Sequence, residues 1–317
     1  MQQKKQIEVV PYNPEWPVMF EKESSIIKAA LGNQLIAVHH IGSTSVPGLA
    51  AKPKIDMIVV VKDPCQTIEK LEAIGFQYRG EYNIPLHYGF SKRGGVDVNL
   101  HIYEEGHPEI ELNLLFRDYL RDNPSARDAY AALKIRLLQD ETSHQKENGA
   151  FTLYTLRKGD FIRDVLRKAG FNRIRVLKCN DETEWNAAKR LRQFYLSDRG
   201  IETDPFTETF NHKEHEHLVL YRGTKIIGYA HLQLWPADRA MLRMMQIEGG
   251  ERGLGYGGQF LGFIEKWLKA RGYRSIQVES CSRAFPFYQE HHFIPMALND
   301  PEGNPSTPGE MPMGKQL

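Results

Sequence analysis

Residues 248–258 read Glu-Gly-Gly-Glu-Arg-Gly-Leu-Gly-Tyr-Gly-Gly. They lie between an apolar, strand-like run at Leu242–Ile247 and an amphipathic, helix-like pattern at Gln259–Arg271. Glycines let the backbone come close to a ligand, and the first N–H groups of a helix have no partner within the helix. A glycine-dense turn that leads into a helix is therefore typical of a phosphate site.

Two phosphate-binding patterns fit these letters. The dinucleotide fingerprint G-x-G-x-x-G is satisfied by Gly253, Gly255 and Gly258. Glu279, about twenty residues farther on, would be its ribose-binding acid. A second pattern, R-x-x-G-x-G, begins at Arg252. The dinucleotide interpretation is disfavoured because several residues separate the strand from the glycines, and because too little chain follows for further βαβ units of about 30 residues each. A purely structural glycine loop is the third alternative.

Composition limits the class of protein. The chain has 317 residues, of which 41% are hydrophobic and 26% are charged, and its formal net charge is +1. Such a chain suggests two globular domains and gives no global electrostatic reason to expect nucleic acid or a membrane as partner. The N-terminus lacks the apolar core of a signal peptide. The three cysteines, at 65, 179 and 281, indicate reduced thiols, so we expect a cytoplasmic protein.

The pattern of apolar residues divides the chain into domains 1–170 and 171–317. The first ends in helical patterns at Ala126–Gln139 and Phe161–Lys168, and Gly170 then interrupts the periodicity. The second domain is predicted to contain strands at 174–178, 217–221, 225–234, 240–247 and 275–280, with helices at 182–197, 257–271 and 284–291. This order predicts an α/β (α+β) fold class for the chain.

The second domain resembles the GNAT acetyltransferases. Residues 247–257 are similar to that family's central strand, loop and helix start. Residues 284–293, Ala-Phe-Pro-Phe-Tyr-Gln-Glu-His-His-Phe, are similar to its second motif, A-x-x-F-Y-x-x-x-G-F. The sequence departs from the family pattern at His292, where glycine is usual, and at Gly249, where proline is common.

This resemblance implies an N-acetyltransferase that uses acetyl-CoA. The amides that would bind the coenzyme A pyrophosphate belong to Arg252, Gly253, Leu254, Gly255, Tyr256 and Gly257. The strand residues that would splay away from their neighbour and hold the pantetheine arm and the thioester are Met245, Gln246 and Ile247. Tyr288 matches the tyrosine that donates a proton to the leaving sulfur.

The general base and the acceptor are less defined. Glu248, just past the central strand, is one candidate base, and His231 is another. A metal site at His212, His215 and His217 is disfavoured because no further ligand stands at a standard spacing. The acceptor, an amine of a small molecule or of a protein, would meet residues 195–211. This stretch is rich in charge and contains Asp198, Arg199, Glu202, Asp204 and Glu208.

The first domain resembles the GrpB family of the nucleotidyltransferase superfamily. The similarity is carried by residues 40–60, His-Ile-Gly-Ser-Thr-Ser-Val-Pro-Gly-Leu-Ala-Ala-Lys-Pro-Lys-Ile-Asp-Met-Ile-Val-Val, and by shorter stretches at 10–17, 99–103 and 115–120. It spans about residues 7–168 and implies a nucleotidyltransferase-like mixed sheet flanked by helices.

Nucleotidyltransferases hold a triphosphate with a Gly-Ser turn and two magnesium ions with strand carboxylates. Gly42 and Ser43 are the matching turn residues. The candidate metal ligands are Asp56, Asp97 and His101. Ile58 stands where a second carboxylate is usual, so three roles remain open: nucleotidyl transfer with Mg²⁺ and a nucleoside triphosphate, nucleotide binding without catalysis, or a structural or recognition role.

The sequence therefore predicts an acetyl-CoA-dependent N-acetyltransferase fused to a GrpB-like domain. The alternative from another class is a sensor that binds acetyl-CoA and nucleotide without turnover.

Overall fold

The computed structural model describes residues 8–145, 151–197, 200, 204, 209–210, 212–303 and 305–317. The chain divides into two compact units, Met1–Arg175 and Val176–Leu317. The sequence pattern places the boundary between residues 170 and 171, a few residues before this division. The strands form two sheets, one of five strands and one of seven. The predicted α/β fold class is therefore confirmed. No helix in the described ranges combines the length and apolarity that a membrane crossing requires.

The first unit is built around the five-stranded sheet. Its elements are α1 (Trp16–Leu31), β1 (Leu35–Ile41), β2 (Lys54–Val61), α2 (Ile68–Ala73), β3 (Gln77–Gly80), β4 (Tyr88–Lys92), β5 (Asp97–Glu104), α3 (Pro108–Asp122), α4 (Pro124–Gln139), α5 (Leu153–Leu156) and α6 (Gly159–Lys168). The strand order is β1-β2-β5-β4-β3. Only β2 and β5 are parallel, and the other neighbours are antiparallel. The predicted mixed sheet is thus present.

Alternation along β2 separates a core face from a second face. Ile55, Met57 and Val59 pack in the core with Trp16 and Ile27 of α1. Residues at the intervening positions face the other way, since successive side chains of a strand point to opposite faces. On that second face the polar residues of β2 and β5 are clustered near the start of each strand.

The second unit is built around the seven-stranded sheet. Its elements are β6 (Ile174–Lys178), α7 (Glu182–Ser197), β7 (His215–Arg222), β8 (Lys225–Trp235), β9 (Arg239–Ile247), α8 (Tyr256–Ala270), β10 (Ser275–Ser280), α9 (Phe285–Glu290), β11 (Ile294–Pro295) and β12 (Met311–Gln316). The strand order is β11-β12-β10-β9-β8-β7-β6.

Helix α8 shows why the sequence forms this unit. Its apolar stripe recurs at helical spacing, and the stripe residues Phe260, Leu261, Ile264, Trp267 and Leu268 are all fully buried. Gly272 follows the helix with φ of +86°, a left-handed conformation that glycine adopts without strain. The amphipathic pattern that the sequence shows at residues 259–271 is therefore the core-facing side of a helix.

Candidate functional site

Strands β9 and β10 of the second unit pair over only part of their length. Their parallel ladder runs from Ser275 opposite Arg239 to Val278 opposite Leu242. Beyond Leu242, β9 continues to Ile247 along β8 alone, and its pairing with β8 shifts register between His231 and Leu232. The bulge re-aims the strand. Residues 245–247 therefore present one backbone edge that the β10 ladder does not cover, which is the arrangement that the resemblance to GNAT enzymes implies.

A cavity of about 360 Å³ opens where the two strands part. Its lining includes Met245 and Gln246 from β9, Cys281 just past β10, and Tyr288 from α9. Tyr288 is 6% exposed, and its ring packs against Phe293 at a centroid distance of 5.3 Å. The predicted proton donor and the predicted thioester-holding strand thus line one cavity.

The glycine-rich loop connects this strand to α8. After a 3₁₀ turn at Gly249–Glu251, Gly253 and Gly255 take φ of +76° and +80°. Gly255 is the N-cap of α8, and no side chain of the described residues caps it. The helix therefore leaves its first N–H groups available to an anion, and its dipole favours negative charge there.

The Arg252 side chain stabilises the loop. Its Nε donates to the carbonyl oxygen of Ile247 at 3.0 Å, so the loop folds back onto the end of β9. The Arg252 guanidinium also lies 5.5 Å from the ring centre of Phe194. Leu254, by contrast, is 58% exposed at the tip of the loop. The Nε–H of Arg252 is thus used within the loop, whereas the backbone N–H groups at the start of α8 are available to a ligand.

Glu248 lies in a cationic environment. Arg190 donates to it at 2.8 Å, and Lys225 lies 3.0 Å from its other oxygen. The hydrogen bond from Arg190 and the contact with Lys225 hold the pKa of Glu248 below its usual value. A general base must gain a proton during the reaction, and two cations oppose that gain. These contacts disfavour Glu248 as the base.

The alternative base, His231, is enclosed. It is fully buried, and its Nε2 lies 2.7 Å from Nδ1 of His215. Burial, together with nearby His217 and Arg192, holds the pKa of His231 well below its usual value. His217 Nδ1 lies 2.6 Å from the hydroxyl of Tyr229. These histidines therefore form a buried polar network that leaves His231 no access to solvent.

The acceptor region predicted from sequence lies mostly outside the described residues. Among its described residues, two have contacts that bear on the site. Tyr195 lines the cavity, and Asp204 accepts hydrogen bonds from the buried Arg192 at 2.5 and 2.7 Å. The identity of the acceptor stays open.

The Gly42–Ser43 turn of the first unit lies directly on Asp56. Gly42 has φ of +69°, and a Cβ at this position would fall 2.7 Å from Oδ2 of Asp56. The turn is held by Ser45, whose hydroxyl donates to the Gly42 carbonyl at 2.6 Å. Only glycine allows the backbone to approach the carboxylate so closely.

The three predicted metal ligands do not form a metal site. Asn99, not Asp97, stands beside Asp56 across the β2–β5 ladder, and its Nδ2 donates to Oδ1 of Asp56 at 2.8 Å. His101 is opposite Ile58 and its Nδ1 lies 3.0 Å from Nε2 of His87. The described residues contain no group of three His, Cys, Asp or Glu side chains placed to hold a metal ion. The prediction of a convergent site is therefore corrected.

Sequence reasoning missed three lysines near the same turn. Lys134 of α4 donates to Oγ of Ser43 at 3.0 Å. Lys52 and Lys158 lie 4.2 and 4.7 Å from the ring centre of Tyr154. Lys52 belongs to the stretch that carries the GrpB resemblance, but Lys134 and Lys158 are distant from it in sequence and belong to no motif. Only folding brings them together.

Comparison with known proteins separates the two halves in the same way. A family model described as GrpB protein matches residues 6–168, and one described as Acetyltransferase (GNAT) family matches residues 182–293. A UPF0157 protein of Halalkalibacterium halodurans is 36% identical over 166 residues, which are 51% of this chain and 82% of that protein.

Solved structures resemble each half. The GrpB protein of Enterococcus faecalis is 34% identical, with a TM-score of 0.45, and the match covers 51% of this chain and 96% of that one. A GNAT-family acetyltransferase of Staphylococcus aureus is 16% identical, with a TM-score of 0.40, and covers 46% of this chain and 99% of that one. Because the GrpB model spans half of the sequence, and a relative matched over most of its length agrees with it, the chain belongs to the GrpB family and carries a GNAT acetyltransferase domain after its GrpB domain.

Proposed function

We propose that the second unit transfers an acetyl group from acetyl-CoA to an amine. One observation supports this most strongly: Met245 and Gln246, on the part of β9 that the β10 ladder does not reach, line the same cavity as Tyr288. The glycine loop that follows β9 supplies N–H groups for the pyrophosphate of the donor. The match of residues 182–293 to the GNAT family supports acetyl-CoA as that donor.

In the proposed reaction the chain's own groups stabilise the oxyanion and protonate the leaving sulfur. A backbone N–H of residues 245–247 would polarise the thioester carbonyl and stabilise the oxyanion that forms when the amine attacks. The C–N bond forms and the C–S bond breaks. The Tyr288 hydroxyl donates its proton to the leaving thiolate. We propose that the amine nitrogen loses its proton to water in the cavity, because Glu248 is ion-paired and His231 is enclosed.

The acceptor is proposed only as a class. It is a primary amine of a small molecule or of a protein, since amines attack thioesters and a net charge of +1 gives no reason to expect a polyanion as partner.

The catalytic proposal is tested with Tyr288→Phe. We expect kcat to fall by about 10²-fold or more, since general acid catalysis contributes about 10²–10⁴-fold, while the dissociation constant for coenzyme A stays unchanged. Thiol release is measured with a panel of small primary amines and a lysine-containing peptide. Tyr273→Phe, outside the cavity, is the matched control. Equal thiol release by wild type and Tyr288→Phe on every amine would favour the sensor alternative.

The donor site is tested separately at Gly253. A Cβ added there would meet no heavy atom of the described residues within 4 Å, and Asp and Asn tolerate the left-handed backbone of this position better than most residues do. Gly253→Asp brings a negative charge to the proposed pyrophosphate position, and Gly253→Asn matches its size without the charge. We expect coenzyme A to bind at least about tenfold more weakly to the Asp variant than to the Asn variant.

Protection of Cys281 gives a readout specific to this cavity. Cys281 lines the cavity and is partly exposed, so bound coenzyme A should slow its alkylation by iodoacetamide. Peptide mapping separates it from the exposed Cys65. Equal protection of the Asp and Asn variants would contradict the proposed pyrophosphate position.

Nucleotidyl transfer by the first unit is not part of the proposal. Two magnesium ions over a reacting phosphate require several carboxylate ligands on adjacent strands. The next residue on the Asp56 face of β2 is Ile58, and the neighbour of Asp56 across the ladder to β5 is Asn99. The donor set thus offers Asp56 without a second carboxylate beside it.

A further inference from the structure

The lysine cluster of the first unit consists of Lys52, Lys134 and Lys158. We propose that this cluster, together with the Ser43 hydroxyl, is a metal-independent binding site for an oligophosphate. The proposal does not depend on acetyl transfer by the second unit. In this site the lysine ammonium groups beside the Gly42–Ser43 turn supply the positive charge that the sequence analysis assigned to magnesium ions.

The cluster is built into the fold. Lys134 is 3% exposed, and its ammonium group donates to Oγ of Ser43 at 3.0 Å and to the carbonyl oxygen of Ala50 at 2.5 Å. Its Nζ also lies 4.9 Å from the ring centre of Tyr130. Because Ser43 Oγ accepts from Lys134, the proton of its hydroxyl is left to be donated to a ligand.

The other two ammonium groups flank one ring. Lys52 and Lys158 lie 4.2 and 4.7 Å from the ring centre of Tyr154, so their nitrogens are no more than 8.9 Å apart. Both side chains are half-buried, and neither ammonium group has a hydrogen bond or an ion pair within the described ranges of the chain. Half-buried charges without an anionic partner are unfavourable unless a ligand supplies one.

The charges around the cluster are unbalanced. Lys54 lies close enough to Lys52 to add to the repulsion, and the carboxylate that opposes it is Asp56. Asp56 also acts on Lys158, and its Oδ1 already accepts a hydrogen bond from Asn99. Three ammonium groups beside one carboxylate favour a ligand with at least two negative charges. An oligophosphate supplies these together with acceptors for several N–H groups.

The pKa values of the lysines agree with this charge imbalance. Burial lowers the pKa of Lys134 to about 7, and those of Lys52 and Lys158 to about 8, and each is lowered further by neighbouring lysines. The titratable groups that face the cluster are Lys52, Lys54, Asp56, Tyr130, Lys134, Tyr154 and Lys158. An anion stabilises the charged lysines, so binding should weaken as the pH rises above about 8.

The test is calorimetric titration of the full chain with inorganic pyrophosphate in EDTA at low ionic strength. All samples carry Gly253→Asp, so that the loop of the second unit does not contribute. We expect binding at pH 7, a loss of about tenfold or more in affinity for each of Lys52→Met and Lys158→Met, and no change for Lys62→Met. Lys62 is exposed in the same unit and gives the same change of charge.

The pH dependence and the ligand preference test the same site without relying on a single variant. Titration of the Gly253→Asp chain with pyrophosphate at pH 9.5 should give at least about tenfold weaker binding than at pH 7, because the lysines are then neutral. Tighter binding of ATP than of pyrophosphate, lost in Lys52→Met and Lys158→Met, would identify a larger phosphate ester as the source of the same chemistry. Binding that requires Mg²⁺, binding that survives both lysine substitutions, or no binding at millimolar pyrophosphate would each overturn the proposal.

Discussion

Replacement of Lys158 by methionine tests the energetics of the lysine cluster directly. Lys158 is half-buried beside Tyr154, and within the described ranges its ammonium group has no hydrogen bond or ion pair. Methionine keeps most of the side-chain volume and removes the charge. We therefore expect Lys158→Met to stabilise the first unit when no ligand is bound, and only at a pH where the lysine is charged in the folded state.

The magnitude follows from the pKa of the residue. Burial, with a contribution from Lys52, lowers the pKa of Lys158 from 10.5 to about 8. At about 1.4 kcal/mol per pKa unit, the charged amine destabilises the fold by about 3 kcal/mol. The cation–π contact with Tyr154 stabilises the charged amine in the folded state by about 0.5–1 kcal/mol. The expected gain from Lys158→Met is therefore about 2 kcal/mol at pH 6.5.

The sign of the pH dependence is fixed by which state binds the proton more tightly. Below pH 8 the amine is charged in both states and the folded state carries the full penalty. As the pH rises from about 8 to 10.5, the folded state releases the proton before the unfolded state does, and the penalty disappears. At pH 10 the gain from the substitution should fall below about 1 kcal/mol.

Urea unfolding of the full chain measures this gain. Trp16 is the sole tryptophan of the sequence before residue 175, so fluorine NMR of fluorotryptophan at this position reports on the first unit. Lys62→Met is the matched control and should change little at either pH. A gain that is equal at pH 6.5 and pH 10, or a loss at pH 6.5, would refute the proposed charge imbalance.

Three further predictions concern stability and the donor site. His292 has φ of +67°, so His292→Gly should relieve strain and raise the free energy of unfolding by about 0.5–1 kcal/mol; lower stability in urea would contradict this. Burial lowers the pKa of His40 to about 4 and the pKa of His217 to about 3. As the pH falls, these histidines are protonated in the unfolded state before they are protonated in the folded state, so Tm should fall between about pH 6.5 and pH 4. A flat Tm over this interval would show that these imidazoles are protonated in the fold. A Cβ at Gly228 would lie 2.8 Å from Cδ1 of Ile247 and 3.1 Å from the carbonyl oxygen of Gln246. Gly228→Ala should therefore lower the free energy of unfolding by about 1–3 kcal/mol and raise KM for acetyl-CoA. Unchanged kinetics would contradict this prediction.

Much of the second unit was predictable because its signals are local. The stripe of α8, the turn at Tyr221–Lys225 and the strand at 275–280 depend on residues that are neighbours in sequence, and the structure contains each of them. The left-handed backbone of His292 also explains the glycine that the family pattern expects there. The parting of β9 from β10 followed from the resemblance to GNAT enzymes rather than from periodicity.

The roles of charged residues were less predictable because they depend on partners far along the chain. Glu248 looks like an unpaired acid in the sequence, but Arg190 and Lys225 pair with it in the fold. Asp97 and Asn99 are two residues apart and lie on the same face of β5. Only the register of β5 against β2 shows that Asn99 is the neighbour of Asp56. A shift of two residues in that register would have placed a carboxylate there instead.

The sequence by itself determined that this chain has a GrpB domain and a GNAT domain, because family motifs, helix periodicity and glycine turns are properties of adjacent residues. The resemblance of residues 247–257 and 284–293 to GNAT motifs also led to acetyl-CoA as the predicted donor. Only the tertiary structure decided what lies at the Gly42–Ser43 turn. There the register of β2 and β5 and the packing of α4 and α5 bring together one carboxylate and three lysines that are spread over more than a hundred residues of sequence. Electrostatic energy depends on distance in space, and this explains why the balance of charge at that turn was not visible before folding.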